Sequence, residues 1–323
     1  MRIALAIEGS NNRGMGHVFR SLLYIDYLNK HKIDYVYLIN DDKNTKALLK
    51  NRNISYIVVD YKDILSNWEE KIIKKYNVDI WFNDKFETSV YMATHIKQQN
   101  VLFSCLDDIG KGAEQADIYF AGMIYPTLRN KIGRNYYYGT KYITLNEEID
   151  KYKKQRREIN NIIVTMGGSD PFQVTEQVLI EMKKYKYEVS FVIGPNYKQK
   201  ERLENINDGR FQILQGVPSM IQLFSNFDLA ITGGGVTCCE ANASGLPCLI
   251  IANAPHEINT GKWMEERGGC CFLGDYSNWN KAFLGRIKSM DILHMSKNAL
   301  NSFDTRGIDR IFTIMKETWE NDK

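Results

Sequence analysis

A histidine between glycines and the start of an amphipathic stretch is the first feature of this chain suited to chemistry. Glu8-Gly-Ser-Asn-Asn-Arg-Gly14-Met-Gly16-His17 follows the apolar run Ile3 to Ile7 and precedes a helical pattern from about Val18 to Leu28, with Leu22, Leu23 and Ile25 on its apolar side. Glycines let backbone and ligand approach closely, and a histidine at a helix start, where added positive charge is disfavoured, suits the role of general base. The alternative is a polar residue that only begins a helix. The turn lacks the full G-x-G-x-x-G pattern, so a dinucleotide fingerprint is not supported.

Three later segments repeat the plan of strand, unusual turn and helix. In Thr165-Met-Gly167-Gly168-Ser169-Asp170-Pro171 the paired glycines allow close backbone approach, while Ser169 or Asp170 can cap the helix that follows. The most pronounced segment runs from Asp228 to Pro247, where Gly233, Gly234 and Gly235 lead into a helix beginning near Val236 and Thr237. Successive glycines before a helix create an anion site of backbone N–H groups; Thr237 adds a hydroxyl donor, and Glu240, about one turn later, is placed to hold ribose hydroxyls. The lysine of a P-loop is missing, so ATP hydrolysis is not indicated. At the next strand-to-helix turn, His256, Glu257 and Asn259 either reach the same site or simply provide first-turn capping chemistry.

These turns need strands and helices to hold them. Short runs rich in Ile, Val and Tyr (Ile3 to Ile7, Tyr35 to Ile39, Tyr56 to Val58, Ile80 to Phe82, Val101 to Cys105) alternate with longer amphipathic stretches, the pattern of parallel strands with crossover helices. The pattern restarts after the charged run Lys151 to Glu158, with Asn161 to Met166, Glu188 to Ile193, Phe211 to Leu214, Leu229 to Thr232 and Pro247 to Ile251. Two open α/β domains are expected, residues 1–155 and 156–323, with the charged run read as a solvated linker. With 6 prolines and no Ser- or Gly-rich tract, the two should face each other across a central cleft without a long flexible connection. Ligands of such sheets collect at the carboxyl ends of the strands, where all four turns lie.

The 323 residues fit two domains better than one, and 44% hydrophobic with 25% charged residues excludes disorder, collagen-like repeats and disulfide scaffolds. A net charge of +3 does not indicate a nucleic-acid partner. The apolar start is shorter than a signal-peptide core and no run approaches a membrane span, so a cytoplasmic location is expected. The 6 cysteines (Cys105, Cys238, Cys239, Cys248, Cys270, Cys271) lack CxxC spacing and read as reduced, structural thiols, with the pair Cys238-Cys239 at a buried helix start and Cys270-Cys271 on a strand.

Along nearly its whole length the chain resembles nucleotide-sugar enzymes of the GT-B type, and within them the UDP-sugar hydrolase family of pseudaminic acid biosynthesis with its spore-coat polysaccharide relatives. Gly14-Met-Gly16-His17-Val-Phe-Arg20 is similar to that family's G-x-G-H-x-x-R element, Met166-Gly-Gly-Ser-Asp170 to its M-G-G-[ST]-D, and Tyr138 to Glu148 to its G-x-x-Y-x-x-L-x-x-E-F segment. Gly233 to Gly245 resembles the wider GT-B group, which includes the lipid-II-forming N-acetylglucosaminyltransferase. The resemblance implies UDP on the second domain, with the diphosphate at Gly233 to Thr237, the ribose at Glu240, the base near the backbone of Gly216 and Val217, and His17 facing the sugar from the first. It also suggests that the stretch after Arg306 crosses back to the first domain. Two departures bear on the sugar and on the nucleophile: Asn83-Asp84-Lys85-Phe86 lacks the family's tyrosine, and His256-Glu257 stands where the family has Asn-Gln.

The expected activity is inverting, cofactor- and metal-independent hydrolysis of a UDP-linked diacetamido-trideoxy hexose, His17 taking the proton of the attacking water and the glycine-rich helix start stabilising the departing UDP. An inverting glycosyltransferase with the same donor site, acting on an acceptor hydroxyl and touching a membrane peripherally if that acceptor is lipid-linked, is the alternative. A non-catalytic nucleotide-sugar binder is the second.

Overall fold

The computed structural model describes residues 1–9, 16–123 and 133–322. It contains fourteen strands among these residues: β1 (Arg2–Ile7), β2 (Asp34–Ile39), β3 (Ile57–Val58), β4 (Ile80–Asp84), β5 (Leu102–Leu106), β6 (Ile118–Ala121), β7 (Asn135–Tyr138), β8 (Asn161–Thr165), β9 (Glu188–Ile193), β10 (Gln212–Gln215), β11 (Leu229–Thr232), β12 (Cys248–Ala252), β13 (Cys270–Asp275) and β14 (Asn278–Trp279). They form two seven-stranded sheets, ordered β3-β2-β1-β4-β5-β6-β7 and β10-β9-β8-β11-β12-β13-β14. Both have the same winding: the chain runs outward from a central strand, then returns to that strand's other side and runs outward again. Every pairing is parallel except β13 with β14.

Contacts divide the chain into a first unit, Met1–Thr144 with Arg306–Lys323, and a second, Leu145–Thr305. In the first, Ile3, Leu5 and Ile7 of β1 enter one core layer while Ala4 and Ala6 enter the other, the alternation of a sheet buried on both faces. The final helix, Gly307–Asn321, seals the first layer with Ile308, Ile311, Phe312 and Met315. Gly307 permits this docking, since a Cβ there would lie 2.0 Å from the Ile143 carbonyl oxygen. In the second unit the core forms around Ile162 and Val164, Phe191, Ile231, Leu249 and Ile251.

One part of the charged run is not solvated. Arg156 is fully buried, and its guanidinium donates to the carbonyls of Lys154 (2.6 Å), Phe224 (2.9 Å), Phe227 (3.2 Å) and Ser244. Burial lowers its guanidinium from the ordinary value to about 10. Four carbonyls converge on one cation, those of Phe224 and Ser244 already accepting a backbone N–H and those of Lys154 and Phe227 taking their donor from it, which explains why an arginine sits inside the unit. The cysteines are free thiols, five buried and Cys271 half-buried. Among the described residues no helix is long and apolar enough to cross a membrane.

Candidate functional site

In each unit the strand order reverses between two central strands, β1 and β4 in the first and β8 and β11 in the second, and ligands of doubly wound sheets bind outside the strand ends at that reversal. Ile7 pairs with Asp84 at the first reversal and Thr165 with Thr232 at the second. His17 follows β1, while Gly167 and Gly233 follow β8 and β11.

His17 is in the first turn of the helix Gly16–Lys30 and is almost wholly buried. Its Nδ1 lies 2.5 Å from Oδ1 of Asp84, the fully buried last residue of β4. Arg20, one helical turn on, donates through Nε to the other oxygen of Asp84 (2.8 Å), through Nη2 to Oδ1, and through Nη1 to Asp107 beyond β5 (2.9 Å). The Tyr24 hydroxyl donates to Asp84 Oδ2 at 2.7 Å. The spacing 17, 20, 24 is three then four residues, which stacks the three side chains on one helix face. Asp107 also accepts from the N–H groups of Gly122 (2.8 Å) and Met123 (2.9 Å) and has φ +52, a left-handed conformation that a non-glycine residue adopts only when its surroundings impose it.

The two aspartates are driven apart electrostatically. Burial would raise the Asp84 carboxyl, but Arg20 and His17 outweigh it by charge and hydrogen bond and hold the group below the usual carboxylate range. Burial pushes Asp107 up, with Arg20 only partly offsetting it. Burial opposes the charge of Arg20, yet Asp84 holds that guanidinium above its ordinary value. An ionised Asp84 only accepts, so it accepts the hydrogen bond of His17 Nδ1–H and leaves Nε2 as the nitrogen with a free lone pair. The ring of Phe86 meets that of His17 edge-on at 4.6 Å, where the resembling family has its tyrosine.

In the second unit the three-glycine turn is not an empty anion cradle. The Glu257 carboxylate accepts from Gly234 N–H at 2.9 Å and from Asn253 N–H at 2.7 Å through the same oxygen. The helix Val236–Ala243 has no side-chain cap, so the first-turn N–H groups of Val236 and Thr237 are the donors left for an anion. Glu240 lies on that helix with no hydrogen bond or ion pair among the described residues, and burial pushes its carboxyl up to about 7. Thr232, at the end of β11, has a buried hydroxyl with no partner among the described residues.

Other sequence-predicted residues divide by environment. Among the described residues nothing lies within 4 Å of where a Cβ would be on Gly167 (φ +78), Gly168, Gly16 or Gly216 (φ +69). Capping falls to Asp170, which accepts from Val174 and Thr175 N–H at 2.9 and 2.8 Å; Ser169 and Val217 are half-buried. His256 is the exposed N-cap residue of the helix that Glu257 begins, and Asn259 is exposed within its first turn. Gly14 lies outside the described residues. Sequence reasoning missed Asp84 as the partner of His17, Tyr24 as a further donor to Asp84, and Asp107 as the second partner of Arg20; the available signal was Arg20 one turn after the histidine together with an aspartate at the end of each of two neighbouring strands.

No protein-family model matches the chain. It is 25% identical to the spore coat polysaccharide biosynthesis protein SpsG of Bacillus subtilis, in an alignment covering 100% of both chains. It is 27% identical to an uncharacterised protein of Methanocaldococcus jannaschii, over 78% of this chain but only 55% of that longer protein. Among solved structures, MurG of Acinetobacter baumannii superposes with a TM-score of 0.74 at 14% identity, over 98% of this chain and 99% of that one. The UDP-GlcNAc 2-epimerase of Neisseria meningitidis bound to UDP-GlcNAc gives 0.64 at 12% identity, over 98% and 100%. The chain therefore has the α/β architecture of the GT-B fold.

Proposed function

We propose that this chain is a nucleotide-sugar enzyme that hydrolyses a UDP-linked sugar, with His17 as general base. The observation that carries the reading is the bond from His17 Nδ1 to the buried, ionised Asp84 at the reversal of the first sheet. It fixes the tautomer, aims the ring, and stabilises the imidazolium formed once Nε2 has taken a proton from water attacking the anomeric carbon. Attack opposite the leaving group inverts the anomeric centre, and UDP departs with its charge met by the N–H groups at Val236 and Thr237 and its ribose at Glu240. The UDP-complexed neighbour of the same fold and the likeness to a polysaccharide biosynthesis protein support a UDP-sugar donor.

The transferase reading has one observation of its own. Phe19, in the same helical turn as His17, and Tyr91, in the first turn of the helix that follows β4, are 47% and 57% exposed, apolar surface suited to an acceptor with an apolar carrier. UDP release separates the two. The full-length protein is incubated without acceptor with a panel of UDP-sugars, beginning with the diacetamido-trideoxy hexose of the resembling family, and His17→Ala is run beside it. Equimolar UDP and free sugar, lost in the variant, supports hydrolysis; release only when a hydroxyl acceptor is added supports transfer and overturns the hydrolase.

A further inference from the structure

Glu257 has no part in the reaction just described, yet its carboxylate is the most precisely held anionic group near the three-glycine turn. It begins the helix Glu257–Glu266, and its Oε2 takes two backbone N–H groups, one from the turn and one from the segment after β12. A Cβ on Gly233 would lie 3.0 Å from Oε2, and one on Gly235 would lie 3.4 Å from Oε1, so the carboxylate lies along the turn itself. Oε1 has no hydrogen-bond partner among the described residues, and the side chain is half-buried. The result is one fixed, charged, acceptor-only oxygen beside the amides that remain for a diphosphate.

Such an oxygen repels a diphosphate at close range, so a ligand that seats there needs to bring compensating positive charge. A sugar hydroxyl would occupy the lone pair but leave the charge unmatched, whereas a protonated amine answers both and forms the stronger, charge-assisted hydrogen bond. We propose that Glu257 Oε1 reads an ammonium group on the sugar, so that the substrate class is a nucleoside diphosphate sugar carrying an unacylated amine. This inference rests on the UDP-sugar reading above and narrows its substrate.

The test is calorimetric binding of UDP, UDP-glucosamine and UDP-N-acetylglucosamine to the full-length protein near pH 6, in EDTA to remove divalent cations, for wild type and Glu257→Gln. The glutamine keeps an oxygen for Gly234 and Asn253 N–H, so the turn retains its anchor. Wild type should bind the amine sugar ~10- to 100-fold more tightly than its acetylated counterpart, the range of a hydrogen bond between charged groups, and E257Q should bring the two within ~3-fold. The wild-type ratio reads the proposal even if the variant does not fold. UDP binding without discrimination between the sugars overturns this inference alone, as does an unchanged ratio in E257Q. A demand for added Mg²⁺ before either sugar binds also overturns it, since the compensating charge would then be a metal. Failure of UDP and of both sugars to bind overturns the underlying reading as well.

Discussion

Replacing Asp84 by asparagine probes the site at its most constrained point. The carboxylate is fully buried and receives His17, Arg20 through two nitrogens and Tyr24, so the amide leaves a buried guanidinium short of its counter-charge. Breaking a buried pair by removing one partner costs about 3–5 kcal/mol, a large part of the ~5–15 kcal/mol that holds a domain together. Catalysis should suffer separately. The asparagine can present N–H to Nδ1, which moves the ring proton to Nε2 and removes the base, a loss of ~10²- to 10⁴-fold in turnover. UDP affinity should stay within about 3-fold, because no second-unit contact changes. Tyr24→Phe serves as control: it removes one hydrogen bond to a charged acceptor, about 1.5–3 kcal/mol of stability, and leaves the His17 contact in place. The assay pairs thermal denaturation with turnover and UDP titration on the folded fraction. A folded Asp84→Asn protein within ~3-fold of wild-type turnover would refute the claim that Asp84 sets the state of His17. The pH sign is also fixed. Because Asp84 is held below its ordinary range, its stabilisation is fully present above about pH 4, the unfolded value, and is lost only as pH falls below that.

Glu240 has the opposite linkage. Its carboxyl is raised to about 7 in the folded chain against about 4.3 unfolded, so the native state binds the extra proton and stability falls as pH rises between those values, by on the order of 2 kcal/mol. Denaturant titrations at pH 5 and pH 8 should show that slope in wild type and lose it in Glu240→Gln. Arg156→Met should cost about 3–5 kcal/mol, since four carbonyls inside the second unit lose the guanidinium and two of them, Lys154 and Phe227, keep no other donor among the described residues, and a melting temperature within ~2 °C of wild type would contradict that role. Among the glycines, Gly234→Ala brings a Cβ to 2.7 Å from the Glu257 carbonyl oxygen and should abolish UDP-dependent thermal stabilisation, whereas Gly168→Ala, with nothing within 4 Å of its Cβ among the described residues, should leave the fold of the second unit unchanged.

Much of the architecture is legible in the residue pattern because fully buried parallel strands must be continuous apolar runs; Ile3 to Ile7 and Cys248 to Ala252 show it directly. Strands β6, β7 and β14 are not read from sequence: Ile118–Ala121 and Asn278–Trp279 are short, and in the edge strand Asn135–Tyr138 the tyrosines show no clear alternation, Tyr136 and Tyr137 being half-buried and Tyr138 exposed. His17 is legible from its turn, but its partners are not. Asp84 and Asp107 lie 67 residues from His17 and 87 from Arg20, and only the strand order, which places β4 beside β1 and β5 beside β4, brings them in. Glu257 is legible as a first-turn residue, whereas its seat on the glycine turn depends on where β11 and β12 end. Arg156 is hidden in a run of charges, because the carbonyls that bury it come from helix ends scattered along the second unit.

The most direct test of the central claim is a reaction in H₂¹⁸O with an α-linked UDP-amino sugar, followed by NMR of the fresh product and mass spectrometry. The account predicts that the first sugar released is the β anomer with ¹⁸O at its anomeric carbon, that UDP carries no label, and that His17→Ala slows this release by at least ~10²-fold. Label in UDP would mean cleavage at phosphorus, and a His17→Ala protein that releases the inverted sugar at the wild-type rate would mean that His17 is not the base; either result contradicts the account.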